Sequence, residues 1–170
     1  MAKINFNFKH PEFDDTRLNT SITEILSANE LCAIASIDDG RSYIHTAYYC
    51  FDEKLNLFFL SGAEAHHNKN FSKNASVAVS IYNSSQPWDG DKKGAQLFGV
   101  CKLATGASVI EGIALYLKRF TSLKEWVKHP DDFLKGAISS KLYKISVDSI
   151  KLFDEAEFGE ENFVVLDVLR

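Results

Sequence analysis

Residues 31–61 read LCAIASIDDG RSYIHTAYYC FDEKLNLFFL S, and this stretch decides the fold. Leu31 to Ile37 is compact and apolar. Asp38-Asp39-Gly40-Arg41 is a turn, because Asp and Gly accept backbone angles that other residues avoid. Ser42 to Phe51 is rich in Tyr and Thr, which suit a pleated, half-buried surface. Asp52-Glu53-Lys54 turns the chain again, and Leu55 to Ser61 forms a third strand. Three strands joined by tight turns predict an antiparallel meander.

Downstream, Gly62 to Ala65 breaks the strand period. His66 to Lys73 reads as a short helix anchored by Phe71. Ser76 to Tyr82 alternates, with Val77, Val79 and Ile81 on one face. Asn83 to Gly94 is a polar loop carrying Pro87 and Trp88, and Ala95 to Thr105 is a fifth strand. Val109 to Phe120 has apolar residues at Ile110, Ile113, Ala114, Leu117 and Phe120, an amphipathic helix. Residues 122–127 continue it or form a further turn, and Pro130-Asp131-Asp132 opens another short helical piece. Lys141 to Val147 is a strand that Ile150 to Phe153 extends, and Phe163 to Leu169 is the last strand.

Upstream, Ser21-Ile22-Thr23-Glu24 is a capping box for a helix ending near Asn29, with Ile22, Ile25 and Leu26 on one face. Residues 1–19 are a lead-in arm and residues 20–170 one domain. So many strands must close or stack to hide their edges. The fold class expected is mainly β: a six-stranded antiparallel split barrel with flanking helices.

Composition fits a soluble globular chain: 170 residues, 45% hydrophobic and 25% charged. Thirteen Phe and six Tyr favour a β-rich fold. The net charge of −4 and the lack of a basic run argue against nucleic acid as a partner. Cys32, Cys50 and Cys101 each sit in an apolar run and form no Cys-x-x-Cys pair. They read as buried reduced thiols of a cytoplasmic protein. No signal-peptide core precedes the helix, and no stretch approaches the ~20 apolar residues of a membrane span.

The order of these segments resembles the pyridoxamine 5'-phosphate oxidase-like split-barrel superfamily. The resemblance is carried by Leu31 to Arg41, His45 to Tyr49, Leu57 to Ser61, His66 to Phe71, Asn74 to Ser80 and Gln96 to Val100. Tyr116 to Phe120 and Tyr143 to Phe153 are similar to its small YhbP-like branch. The resemblance implies an FMN-binding homodimer with the cofactor at the subunit interface, and an oxidoreductase acting on a small molecule. A flavin- or haem-binding module without turnover is the alternative, with haem as the alternative cofactor.

By the same resemblance, Ser61 matches the Ser/Thr that donates to the FMN phosphate. His66 and His67 stand where the family carries Arg and Lys, which leaves the charge there unsupplied at neutral pH. Lys69 and Lys73 on the same helix are alternative charge sources. His45, Thr46, Ala47 and Tyr48 match the strand whose backbone meets the flavin ring, and Gln96 matches a polar residue that reaches it. Trp88, Lys118 and Arg119 fall where substrate or partner contacts are made in the family. No side chain stands out as a catalytic acid or base. The adjacent His66 and His67 are poorly placed to converge with His45 on one ion, and no carboxylate or Cys falls at ligand spacing, so no metal is expected.

Overall fold

The computed structural model describes residues 13–125 and 139–169. Along the chain run α1 (Asp15–Ala28), β1 (Leu31–Asp38), β2 (Arg41–Phe51), β3 (Asn56–Gly62), α2 (His66–Lys73), β4 (Ser76–Tyr82), β5 (Lys93–Leu103), α3 (Ala107–Arg119), a 3-10 turn (Thr121–Glu125), β6 (Ser140–Asp154), α4 (Glu155–Phe158) and β7 (Phe163–Asp167).

The strands form one antiparallel sheet in the order β3-β2-β1-β4-β5-β6-β7. A further β3–β6 ladder, from Asn56↔Ser146 to Gly62↔Ser140, joins the sheet to itself. Six strands therefore close into the expected barrel, and β7 extends it beyond β6.

Alternation fills the barrel. Cys32, Ile34, Val77, Val79, Ile81, Leu97, Ile145 and Val147 point inward and are buried. α1 packs Leu18, Ile22, Ile25 and Leu26 into the same core. A second, smaller core joins Phe58 and Leu142 on the outside of the barrel wall to Val109, Ile113 and Tyr116 of α3. β3 is thus covered on both faces, so Leu57-Phe58-Phe59-Leu60 reads as an unbroken apolar run and not as an alternation.

Four local expectations are corrected. α1 begins at Asp15, with Asp14 as N-cap accepting from the Arg17 N–H at 2.9 Å. Ser21, the expected cap, lies inside the helix and donates to the buried Asp154. The buried face of α3 is Val109, Gly112, Ile113 and Tyr116, while Ile110 is exposed. β5 starts and ends two residues early, at Lys93 and Leu103. β6 runs unbroken for 15 residues through the gap left between its two expected parts. Its pairing with β5 skips Asp148, an irregularity at Phe98/Gly99. There a Cβ on Gly99 would lie 2.1 Å from the Ser146 carbonyl oxygen, so the two backbones can approach only at glycine. The expected helical piece at Pro130 lies outside the described residues, as does most of the arm.

Candidate functional site

β2 and β3 pair only through Tyr49↔Phe59, Cys50↔Phe58 and Phe51↔Leu57. Beyond Tyr49 and Phe59 the strands part. Tyr116, reaching in from α3, occupies the fork. Its hydroxyl donates to the Tyr48 carbonyl and accepts from the Leu60 N–H at 3.3 Å. The two backbone groups left unpaired by the split are satisfied by one phenol. α3 can come this close because Gly112 faces the wall. A Cβ there would stand 2.6 Å from Leu142 Cδ2 and 2.7 Å from Phe58 Cδ1.

The fork opens into a cavity of about 790 Å³, within the range of small-molecule sites. β2 lines it with Thr46, Ala47 and Tyr48, and β3 with Phe59, Leu60 and Ser61. His67 of α2, with Tyr116 and Arg119 of α3, completes much of the wall.

At one corner the Ser61 hydroxyl lies 2.7 Å from His67 Nε2. Asn68 donates to the Ser61 oxygen at 3.1 Å and to the Gly62 carbonyl at 2.6 Å. His67 is the second residue of α2, so this corner adjoins the amide end of a helix, where anions are favoured. Behind His67, the His45 ring lies parallel at 3.7 Å. Burial, with the neighbouring His67, lowers the His45 pKa to about 4. Burial, then His66, lowers that of His67. Both rings are therefore neutral near pH 7. Neither nitrogen of His45 has a hydrogen-bond partner of ordinary geometry, nor does Oδ1 of Asn68. The backbone of Ile34, opposite His45 in the ladder, has only a minor effect in the other direction.

This arrangement, a closed six-stranded barrel parted at one seam under a helix, can be compared with known proteins. No family model matches the chain. Solved structures do. A haem-binding protein from Mycobacterium smegmatis superposes with a TM-score of 0.67 at 13% identity, over 86% of this chain and 57% of that one. General Stress Protein 26 from Bacillus anthracis superposes at 0.60 and 15% identity, over 87% and 98%. A Listeria innocua protein described as a pyridoxamine 5'-phosphate oxidase superposes at 0.61 and 21% identity, over 79% and 97%. The chain has the pyridoxamine 5'-phosphate oxidase-like split-barrel fold. In sequence, this split barrel is 28% identical over 140 residues to a UPF0306 protein of Campylobacter jejuni, covering 82% of this chain and 91% of that protein.

The structure gathers Thr46, Ala47, Tyr48, Ser61, His67 and Arg119 around one cavity and stacks His45 behind it. It does not bring the other candidates there. His66 turns away, its Nε2 2.7 Å from the Asp38 carboxylate. Gln96 lies on a different groove with Lys151 and Phe163. Trp88 is 89% exposed on its loop. Lys118 lines a groove between α1 and α3. Arg119 has a structural duty as well. Its Nη2 donates to the carbonyls of Leu26 at 2.8 Å and Asn29 at 2.6 Å, capping α1, while the guanidinium lies 4.7 Å from the Tyr49 ring centre.

Asn68 and Tyr116 are site residues that the sequence analysis did not single out. Asn68 is a short amide inside a polar helix, a pattern shared with any solvated helix. Tyr116 sits outside the face that periodicity had marked apolar.

The described cysteines are free and buried, with burial pushing Cys32 and Cys101 up to about 12, so neither is a nucleophile at neutral pH. Among the described residues no cluster of three or more His, Cys, Asp or Glu is placed to hold a metal. No described helix is long and apolar enough to cross a membrane.

Proposed function

We propose that this split barrel binds FMN in the cavity between β2 and β3 and acts as an FMN-dependent oxidoreductase on a small molecule. One observation carries the reading: the Ser61–His67 corner, at the amide end of α2, opens directly onto a cavity large enough for a nucleotide-sized ligand. The residues fit the group. Ser61 and His67 offer a hydroxyl and an imidazole to a phosphate. Asn68, which donates to the Ser61 oxygen, and His45, stacked on His67, would hold these two side chains in place. Thr46 and Ala47, with the Tyr48 ring beside them, would meet a flat ring along the β2 wall. The flavin, when bound, supplies the electron chemistry. The chain's own residues bind it, orient it and exclude water.

The reading includes a homodimer. The outer face of β1, β2 and β5 exposes Leu31, Ile37, Ile44, Tyr48 and Phe98, each at least 42% accessible. Such a face on a monomer marks an interaction surface. Tyr48 belongs both to this face and to the cavity wall, so a second copy seated there would also close the site. Buried free thiols suit a reducing compartment, and we place the dimer in the cytoplasm.

Absorption spectroscopy of purified protein tests this. Flavin bands, bleached by NADH or NADPH, are the expected result. Flavin bands that no reductant bleaches would leave a binding module. A Soret band would replace FMN with haem, and colourless protein that takes up no added FMN would end the reading.

A further inference from the structure

We propose that Lys141 supplies the positive charge for the FMN phosphate, a charge that positions 66 and 67 lack. The inference rests on the flavin reading. A phosphate dianion at Ser61 needs a cation, and the cations around it are otherwise engaged. His66 is paired with Asp38 at 2.7 Å, Lys69 with Glu64 at 3.5 Å and Lys73 with Asp39 at 3.5 Å. His67 is neutral near pH 7, its pKa held down by burial. Arg119 is committed to the carbonyls that end α1. Lys144 leaves the opposite face of β6, its amine 5.8 Å from the centre of the Phe58 ring.

Lys141 differs. It stands directly opposite Ser61 in the β3–β6 ladder. Directly opposed residues project from the same face of a sheet, with Cβ atoms roughly 5 Å apart. The lysine stem therefore leaves the barrel rim beside the Ser61 hydroxyl. Lys141 is exposed, and among the described residues it has no acidic partner within 4.0 Å. A flexible ammonium donor free to fold onto a phosphate is what the corner otherwise lacks.

The test compares FMN with riboflavin, which shares the ring and ribityl chain but has no phosphate. Dissociation constants are read by quenching of flavin fluorescence for wild type, Lys141→Gln, Lys141→Arg and Ser61→Ala. The expected result is an FMN affinity about tenfold weaker in Lys141→Gln, with riboflavin unchanged and most of the FMN affinity kept in Lys141→Arg. Lys141→Gln binding FMN like wild type, while Ser61→Ala weakens it, would overturn the role of Lys141 and leave the flavin site standing. Wild type binding both flavins equally would also remove Lys141, since no phosphate would be recognised. Wild type binding neither would overturn the flavin reading and this inference with it.

Discussion

The imidazoles of His45 and His67 lie face to face, 3.7 Å between centroids and 3° from parallel. Two rings so placed resist sharing the corner as two cations, and burial disfavours charge on each. The sign of the pH dependence follows. The His45 pKa falls from 6.5 to about 4 on folding, so between those values the unfolded chain binds a proton that the folded chain refuses. Stability contributed by the neutral ring is fully present above pH 6.5 and is lost as pH falls toward 4. Melting temperatures from pH 7 to pH 5 should therefore decline in the wild type and decline less in His45→Phe. Equal slopes for the two proteins would show that His45 is not held neutral.

A phosphate beside His67 would favour its protonated form and partly reverse the effect of burial. His67→Ala should therefore weaken FMN binding most near pH 6 and least near pH 8. His66→Ala should leave the affinity within about twofold, because His66 faces Asp38 and not the cavity. Titrations of both variants across that range separate the two histidines. A larger loss in His66→Ala than in His67→Ala would reverse the assignment.

Removing the phenol oxygen of Tyr116 strips partners from the Tyr48 carbonyl and the Leu60 N–H at once. Tyr116→Phe should cost about 1–3 kcal/mol of unfolding free energy. Urea denaturation measures it, and an unchanged midpoint would mean that water replaces the hydroxyl at the fork without penalty.

Much of the barrel was legible because its strands obey local rules. Val77, Val79 and Ile81 alternate with polar neighbours, and Asp38-Asp39-Gly40 supplies the turn with Asp39 and Gly40 both at positive φ. α2 and β4 match their expected spans to the residue. α1 was harder. Its first turn is capped by Asp14, yet Ser21-Ile22-Thr23-Glu24 imitates a start, and only the distant Asp154 decides what Ser21 bonds. Part of the candidate site is short-range in sequence: Thr46 to Tyr48 and Ser61, on neighbouring strands of one hairpin, line the same cavity. Pairings across the fold were not legible. His66 and His67 are adjacent in sequence, but one meets Asp38 and the other Ser61, because successive helical side chains point about 100° apart. Nor could Lys141 be linked to Ser61 before the β3–β6 register was known.

Gly112 sets how closely α3 approaches the barrel wall. Gly112→Ala would crowd Phe58 and Leu142 and push α3, with Tyr116, away from the fork. The expected outcome is a loss of roughly 1–3 kcal/mol in stability, with weakened flavin binding in the protein that remains folded. Chemical denaturation together with fluorescence titration checks both. A stable variant with wild-type affinity would show that α3 can shift without opening the site.

The most direct measurement is a crystal structure of the protein grown with FMN. The account expects the phosphate within hydrogen-bond distance of the Ser61 hydroxyl and His67, with the ring along Thr46 to Tyr48. FMN bound elsewhere, or a cavity between β2 and β3 that stays free of ligand at saturating FMN, would contradict it.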